Sequence, residues 1–256
     1  MAARVVKLVL AYDGTDFHGW ARQRDPAVRT IEGAIAEELA RVLGVEPRLS
    51  AAGRTDTGVH ARGQVVSFAT SSRISPAGIQ AALNGRLGPE VVVIRALVAP
   101  DGFDARFSAT ARAYRYVIDT AGLPDPFSAR FVWHRPGELA IGPMRAAAFG
   151  LVGTKDFRSF CRHPGGDRST VRHLQRLTIS RADDLVVFRF RANSFLHQMV
   201  RSLVGTLVAV GEGKLAPGSM EAILRAGDRA AAGPVAPPQG LTLDGVVYGS
   251  PARPRR

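Results

Sequence analysis

Cysteine occurs once in the 256 residues, at Cys161. The chain can therefore close no internal disulfide and offers no cysteine cluster to zinc. Lysine is almost as scarce, with Lys7, Lys155 and Lys214 alone. No stretch reaches the ~18 apolar residues that a membrane span needs. The amino-terminal apolar run Val5–Ala11 is stopped by Asp13, which is too soon for a signal peptide. The expected compartment is the cytoplasm. Phosphate-cradling GxxxxGK[ST], a GxGxxG after a strand, HExxH and GxSxG are all missing. His60, His163, His173 and His197 are scattered along the chain, so no metal site is expected. The chemistry is expected to run without a cofactor.

What is abundant is arginine. The balance of 34 basic against 22 acidic residues leaves a formal charge of +12. That excess points to a polyanionic partner, nucleic acid before others. Arginine also grips phosphate in a bidentate way that lysine does not. A hydrophobic share of 46% suffices for an ordinary core.

Periodicity and caps give the order of elements. Arg4–Tyr12 reads as a strand, followed by a polar loop to Val28. Thr30 is placed to cap a helix whose apolar face is Ile31, Ile35, Leu39 and Val42. Strands at about Arg48–Gly53 and Gln64–Thr70 follow, then a helix opened by Ser75-Pro76 that runs to about Leu87. Val91–Val98 is a strongly apolar strand. The second half gives a strand over Phe107–Asp119, with Tyr114, Tyr116 and Ile118 on one face. After a Pro-containing linker at Leu123–Phe127 comes a helix over Ile141–Leu151. Thr154–Asp167 reads as a loop, and strands follow at Thr170–Ser180 and Leu185–Arg191. Helices at Ser194–Val210 and Ser219–Ala226 precede a closing strand, Leu241–Tyr248. Pro251–Arg256 reads as a basic tail. Both halves thus run β-α-β-β-α-β, the ferredoxin-like order. The expected fold is α+β: two such halves sharing one mostly antiparallel sheet, helices on one face, and a cleft between them. The halves are expected at 1–104 and 105–250, with the tail at 251–256.

Three residues attract chemistry. Gly53–Phe68, GRTDTGVHARGQVVSF, sets Arg54 and Asp56 two residues apart in a Gly- and Asp-rich turn between strands. Reacting groups are commonly held on such loops. The bland alternative is a surface ion pair. In the helix at Ser194–Val210, apolar residues cover most of the circumference, which predicts burial. Arg201 lies in its middle and needs a carboxylate or a stack of carbonyls, with Asp56 a candidate partner. Tyr114 is either a core tyrosine or a ring that stacks on an unpaired base. Arg168, Arg172 and Arg176 recur at even spacing, and Arg189 and Arg191 share a face opposite Phe188 and Phe190. Each alone is a solvated strand face, while together they suggest a phosphate-tracking surface. A carboxylate, an arginine and a tyrosine suit nucleophilic attack or proton transfer on a bound substrate. An enzyme acting on a bound nucleic acid, an RNA-binding module with an inert site and an Asp-dependent hydrolase of a small polar substrate all remain open on these residues.

Longer stretches carry a family resemblance. YDGTDFHGW at Tyr12–Trp20, GRTDTGVHARGQVVSF and FDARFSATARAYRYVI at Phe103–Ile118 resemble motifs of the tRNA pseudouridine synthases of the A type. KDFRSF at Lys155–Phe160, FLHQMVRSLVGTLVAVG at Phe195–Gly211 and APPQGLTLDGVVY at Ala236–Tyr248 continue them in order. The resemblance implies the pseudouridine synthase fold and an isomerase that converts uridine to pseudouridine at nucleotides 38, 39 and 40 of the tRNA anticodon arm. It implies no cofactor and no metal, a homodimer, and tRNA as partner. It makes Asp56 the nucleophile, Tyr114 the base-stacking residue and proton acceptor, and Arg201 the residue that orients Asp56. Arg54 and His60 are implied on the substrate-binding side.

Overall fold

The computed structural model describes residues 3–162, 165–166 and 168–249. The Pro251–Arg256 tail, and His163 and Asp167 of the 154–167 stretch, lie outside the described residues. Two units divide the chain. One takes the residues up to Thr110 and those from Leu243 onward; the other is Ala111–Thr242.

In the first unit, both helices and the strands β1 and β4 fall where local signals put them. Apolar alternation forms β1 (Arg4–Tyr12), which buries Val6, Leu8, Leu10 and Tyr12. The Thr30 hydroxyl accepts from the Gly33 amide at 3.2 Å and starts α1 (Ile31–Leu43). Gly44 ends it in the left-handed region, φ 77°, its amide donating to the Ala40 carbonyl. Ile31, Ile35 and Leu39 are wholly buried, each worth roughly 2 kcal/mol of transfer from water. Then come β2 (Ser50–Ala51), β3 (His60–Thr70), α2 (Pro76–Leu87) and β4 (Val91–Val98). Ser75 caps α2 and Pro76 takes its first turn, where no amide partner is lost. The strands are antiparallel in the order β4-β1-β3. On the far side of β3, β2 pairs at Ser50↔Ser67, and the residues of β10 (Leu241–Tyr248) from Leu243 onward continue the sheet. β3 is buried along most of its length. A second apolar cluster of Ala52, Val65 and Ala105 with Val9, Phe103, Val246 and Tyr248 packs there.

The second unit orders its strands β5-β9-β8-β7, all antiparallel. They are β5 (Ala109–Asp119), β7 (Gly153–Asp156), β8 (Val171–Ala182) and β9 (Leu185–Ala192). A two-residue strand, β6 (Trp133–His134), lies parallel to the end of β5. The helices are α3 (Ile141–Phe149), α4 (Met199–Gly211) and α5 (Ser219–Ala226). Tyr114, Tyr116 and Ile118 share one face as expected, and that face is buried, with Phe188 and Phe190 of β9 beside them. Tyr116 meets Phe188 edge-on at 6.5 Å and Trp133 edge-on at 6.3 Å.

Several expectations are corrected here. The stretch expected as a loop from Thr154 carries β7 and a single 3-10 turn, Arg158–Phe160. β5 begins at Ala109 rather than Phe107, whose ring is exposed. β3 begins four residues earlier than Gln64, at His60. α4 begins at Met199 and not at Ser194, because Gln198 adopts φ 61° and breaks the helical path. Arg172 and Arg176 do not share a face. The register slips between Leu174 and Arg176, as a bulge does, so Arg172 falls on the side of buried Leu174 and Arg176 on the open side. Arg168 precedes the strand.

Candidate active site

The loop that carries Asp56 joins β2 to β3, and another segment holds it in shape. Residues Tyr12–Trp20 run across it and supply most of its fixed contacts. The Tyr12 hydroxyl and Thr55 Oγ1 are 2.9 Å apart in a hydrogen bond. The Trp20 amide donates to the Thr55 carbonyl at 2.9 Å, and the Gly58 amide to the Phe17 carbonyl at 3.4 Å. The Gly14 amide donates to His60 Nδ1 at 3.0 Å. From β3, Gln64 Nε2 donates to the Gly53 carbonyl at 2.6 Å. Within the loop, the Val59 amide closes onto the Asp56 carbonyl at 3.1 Å.

Two glycines make the fit possible. A Cβ on Gly14 would stand 2.0 Å from the Val59 carbonyl oxygen. Gly19 has φ +84°, and a Cβ there would meet the Thr55 carbonyl oxygen at 2.8 Å and the Asp56 carbonyl carbon at 3.1 Å. Backbone therefore lies directly on backbone at the residue of interest.

In this frame Thr55 is buried, Asp56 half-buried and Arg54 exposed. Asp56 thus has a protein-facing side and a side open to solvent. His60 is only 2% exposed, with Asp13 Oδ1 at 3.1 Å from its Nδ1. Asp13 Oδ1 also accepts from the Thr15 amide at 3.0 Å and its hydroxyl at 2.6 Å. Burial pushes the Tyr12 phenol up to about 12, against the opposing pull of hydrogen bonds with Thr55 and Gln64. The phenol is neutral at any ordinary pH.

In the second unit Tyr114 lies on β5, 7% exposed, with the Phe195 ring edge-on at 5.0 Å and 84°. Arg201 is the third residue of α4, not its middle, and it is half-buried. It is also the single residue of that helix that is not buried. The expected need for an acceptor is met in part by a carbonyl: Arg201 Nε donates to the Ala236 oxygen at 2.7 Å, and the Ala236 amide returns a bond to the Arg201 carbonyl at 3.1 Å. The next residue, Pro237, accepts from the Tyr116 hydroxyl at 2.8 Å. Burial raises the Tyr116 phenol, and the charge of Arg201 opposes that rise. Arg201 and the Tyr114–Tyr116 face of β5 are therefore neighbours, tied through residues 236–237.

The structure has Arg54 and Asp56 on the expected loop and Tyr114 on the expected strand, but His60, expected in the loop, is the first residue of β3. Sequence reading missed Tyr12, Thr55 and Gln64 as the loop's fastenings. For Tyr12 and Thr55 the available signal was a tyrosine, a phenylalanine and a tryptophan set with two glycines in Tyr12–Trp20, in the stretch between the first strand and the first helix. Among the described residues, no three His, Cys, Asp or Glu side chains are gathered where they could hold a metal ion. Cys161 is buried, and burial raises its thiol. No helix among the described residues is long and apolar enough to cross a membrane.

Comparison with known proteins gives a consistent picture. A family model described as tRNA pseudouridine synthase matches residues 8–108 and 147–249. A protein of Frankia casuarinae named tRNA pseudouridine synthase A is 46% identical over 248 residues, covering 95% of this chain and 89% of that protein. Its namesake in Moorella thermoacetica is 43% identical over 244 residues, covering 95% and 99%. A third, from Mesorhizobium japonicum, is 42% identical over 245 residues, covering 94% and 98%.

Proposed function

Because the chain belongs to the tRNA pseudouridine synthase family, we propose that it isomerises uridine to pseudouridine at nucleotides 38, 39 and 40 of the tRNA anticodon arm. The observation that carries this reading is Asp56: a half-buried carboxylate on a loop whose backbone is clamped by a second segment. A nucleophile must be held still and yet reachable, and this one has both properties.

Asp56 acts as the nucleophile, on the sugar carbon or on the uracil ring. The bond from C1′ to N1 breaks, the detached uracil turns, a bond from C1′ to C5 forms, and the bond made by Asp56 is broken so that the carboxylate is regenerated. The hydrogen on C5 leaves as a proton and N1 gains one, so atoms balance without an oxidant or a cofactor. Tyr114 stacks on the base and accepts the C5 proton. Arg201 orients Asp56. A uridine within a stem must first leave it, at a cost of a few kcal/mol, and exposed Arg54 helps to admit it. His60 serves substrate binding through the loop, since its ring is buried and holds the Gly14 amide. The setting is the cytoplasm, and the working particle is a homodimer with tRNA as its partner.

Purified protein incubated with tRNA labelled with tritium at uridine C5 tests the proposal. The expected outcome is release of tritium to water, with pseudouridine mapped to positions 38–40. Binding of tRNA without release would leave an RNA-binding module and remove the catalytic reading.

A further inference from the structure

The second unit has an arginine cluster that the chemistry at Asp56 leaves unused. The register aligns Arg115 of β5 opposite Arg189 of β9, and Arg191 of β9 opposite Arg176 of β8. These residues occupy two adjoining rows on the side of the strands away from buried Tyr114, Phe188 and Phe190. Arg176, Arg189 and Arg191 are exposed. Neighbouring strands lie about 4.8 Å apart and successive same-face residues about 7 Å apart, so the four side chains spring from one small cell of the sheet.

Like charges directly opposite each other destabilise a sheet. The residues between them, Ala113, Val117, Thr178, Ser180 and Val187, include no acid. Among the described residues Arg176 and Arg191 make no ion pair, and Arg189 makes only a 3.4 Å bond to Ser180 Oγ. An ordinary solvated strand face interleaves signs; this one concentrates one sign. The intervening side chains carry no charge, and Arg176, Arg189 and Arg191 reach solvent beside half-buried Arg115. No aromatic ring stands among them to take a base.

We infer that this open face of β5, β9 and β8 binds the sugar–phosphate backbone of the RNA, away from the reacting base. The chemistry it recognises is a row of phosphates, for which arginine is the best-suited side chain. The inference deepens the proposed function and rests on it for the identity of the RNA.

The test compares the wild type with a triple variant, Arg176→Gln, Arg189→Gln and Arg191→Gln, and with its lysine counterpart at the same positions. Affinity for full-length tRNA is measured from about 50 to about 200 mM salt. Each phosphate contact contributes close to one unit to the slope of log affinity against log salt, so the glutamine variant should lose about two to three units. The lysine variant, which keeps the charges, should keep the slope. The melting temperature of the glutamine variant should equal or exceed that of the wild type, because opposed charges have gone. If the triple variant folds poorly, Arg191→Gln alone should cost about one unit. An unchanged slope in a folded variant overturns the inference. So does an unchanged slope with a changed particle mass by light scattering, which would give the face to a second copy of the chain. Binding is read without turnover, so a wild type that binds steeply but makes no pseudouridine sinks the proposed reaction and leaves this surface standing.

Discussion

The loop around Asp56 and the helix that bears Arg201 are held by opposite means. The loop has almost no apolar content; hydrogen bonds from residues Tyr12–Trp20 and from Gln64 keep its shape. The helix is fixed by burial, with every residue of α4 except Arg201 out of solvent. A hydrogen-bonded frame is specific in geometry and modest in energy, about 1 kcal/mol net for each bond. A buried apolar helix supplies large energy and places its one polar residue by exclusion. The two regions should therefore fail differently: the helix through stability, the loop through geometry.

Substitutions can break or sharpen that contrast. The largest loss of stability is expected in the helix. Leu203 is wholly buried, and Leu203→Ala should cost about 2–5 kcal/mol in denaturant unfolding, while the folded fraction keeps most of its turnover. Gly14→Ala comes next in stability, at about 1–3 kcal/mol, because the Val59 carbonyl must move to admit the Cβ. Here turnover should fall further than stability, on the order of a hundredfold, since the displaced backbone leads into the Asp56 loop. A Gly14→Ala protein with full activity would show that the loop is not held as described.

The smallest effect belongs to Tyr12→Phe. It removes one hydrogen bond to Thr55 and should cost about 1 kcal/mol near neutrality. Its sharper signature is at high pH. The folded chain keeps the Tyr12 proton up to about 12, whereas the unfolded chain releases it from about pH 10. A raised pKa gives stability that is present below the unfolded value and is lost as pH climbs toward the folded one. Wild-type stability should thus fall by about 1.4 kcal/mol per pH unit between those limits on account of this group. In Tyr12→Phe, unfolding measured across the same range should show a slope shallower by that amount.

Much of the fold was legible because its signals are local. Thr30 opens α1, Ser75-Pro76 opens α2, loose alternation marks β1, and an apolar run marks β4 to the residue. What escaped notice depends on distant partners or on lengths too short to show a period. β6 and β7 have two and four residues. The apolar run continues from Phe195 into α4, so nothing in the pattern announces the left-handed Gln198 that delays the helix. The bulge between Leu174 and Arg176 is invisible to a reading of every second residue. The same holds at the site. A turn bearing Asp56 could be read directly, but the Tyr12 bond to Thr55 spans 43 residues, and only the folded chain joins its ends.

The most direct measurement is tritium release by Asp56→Asn, made beside its affinity for tRNA. The substitution keeps the shape of the side chain and removes the charge and the nucleophile. The account predicts that tRNA still binds with near wild-type affinity while release falls to background. Release at a rate close to that of the wild type would contradict it and take Asp56 out of the reaction.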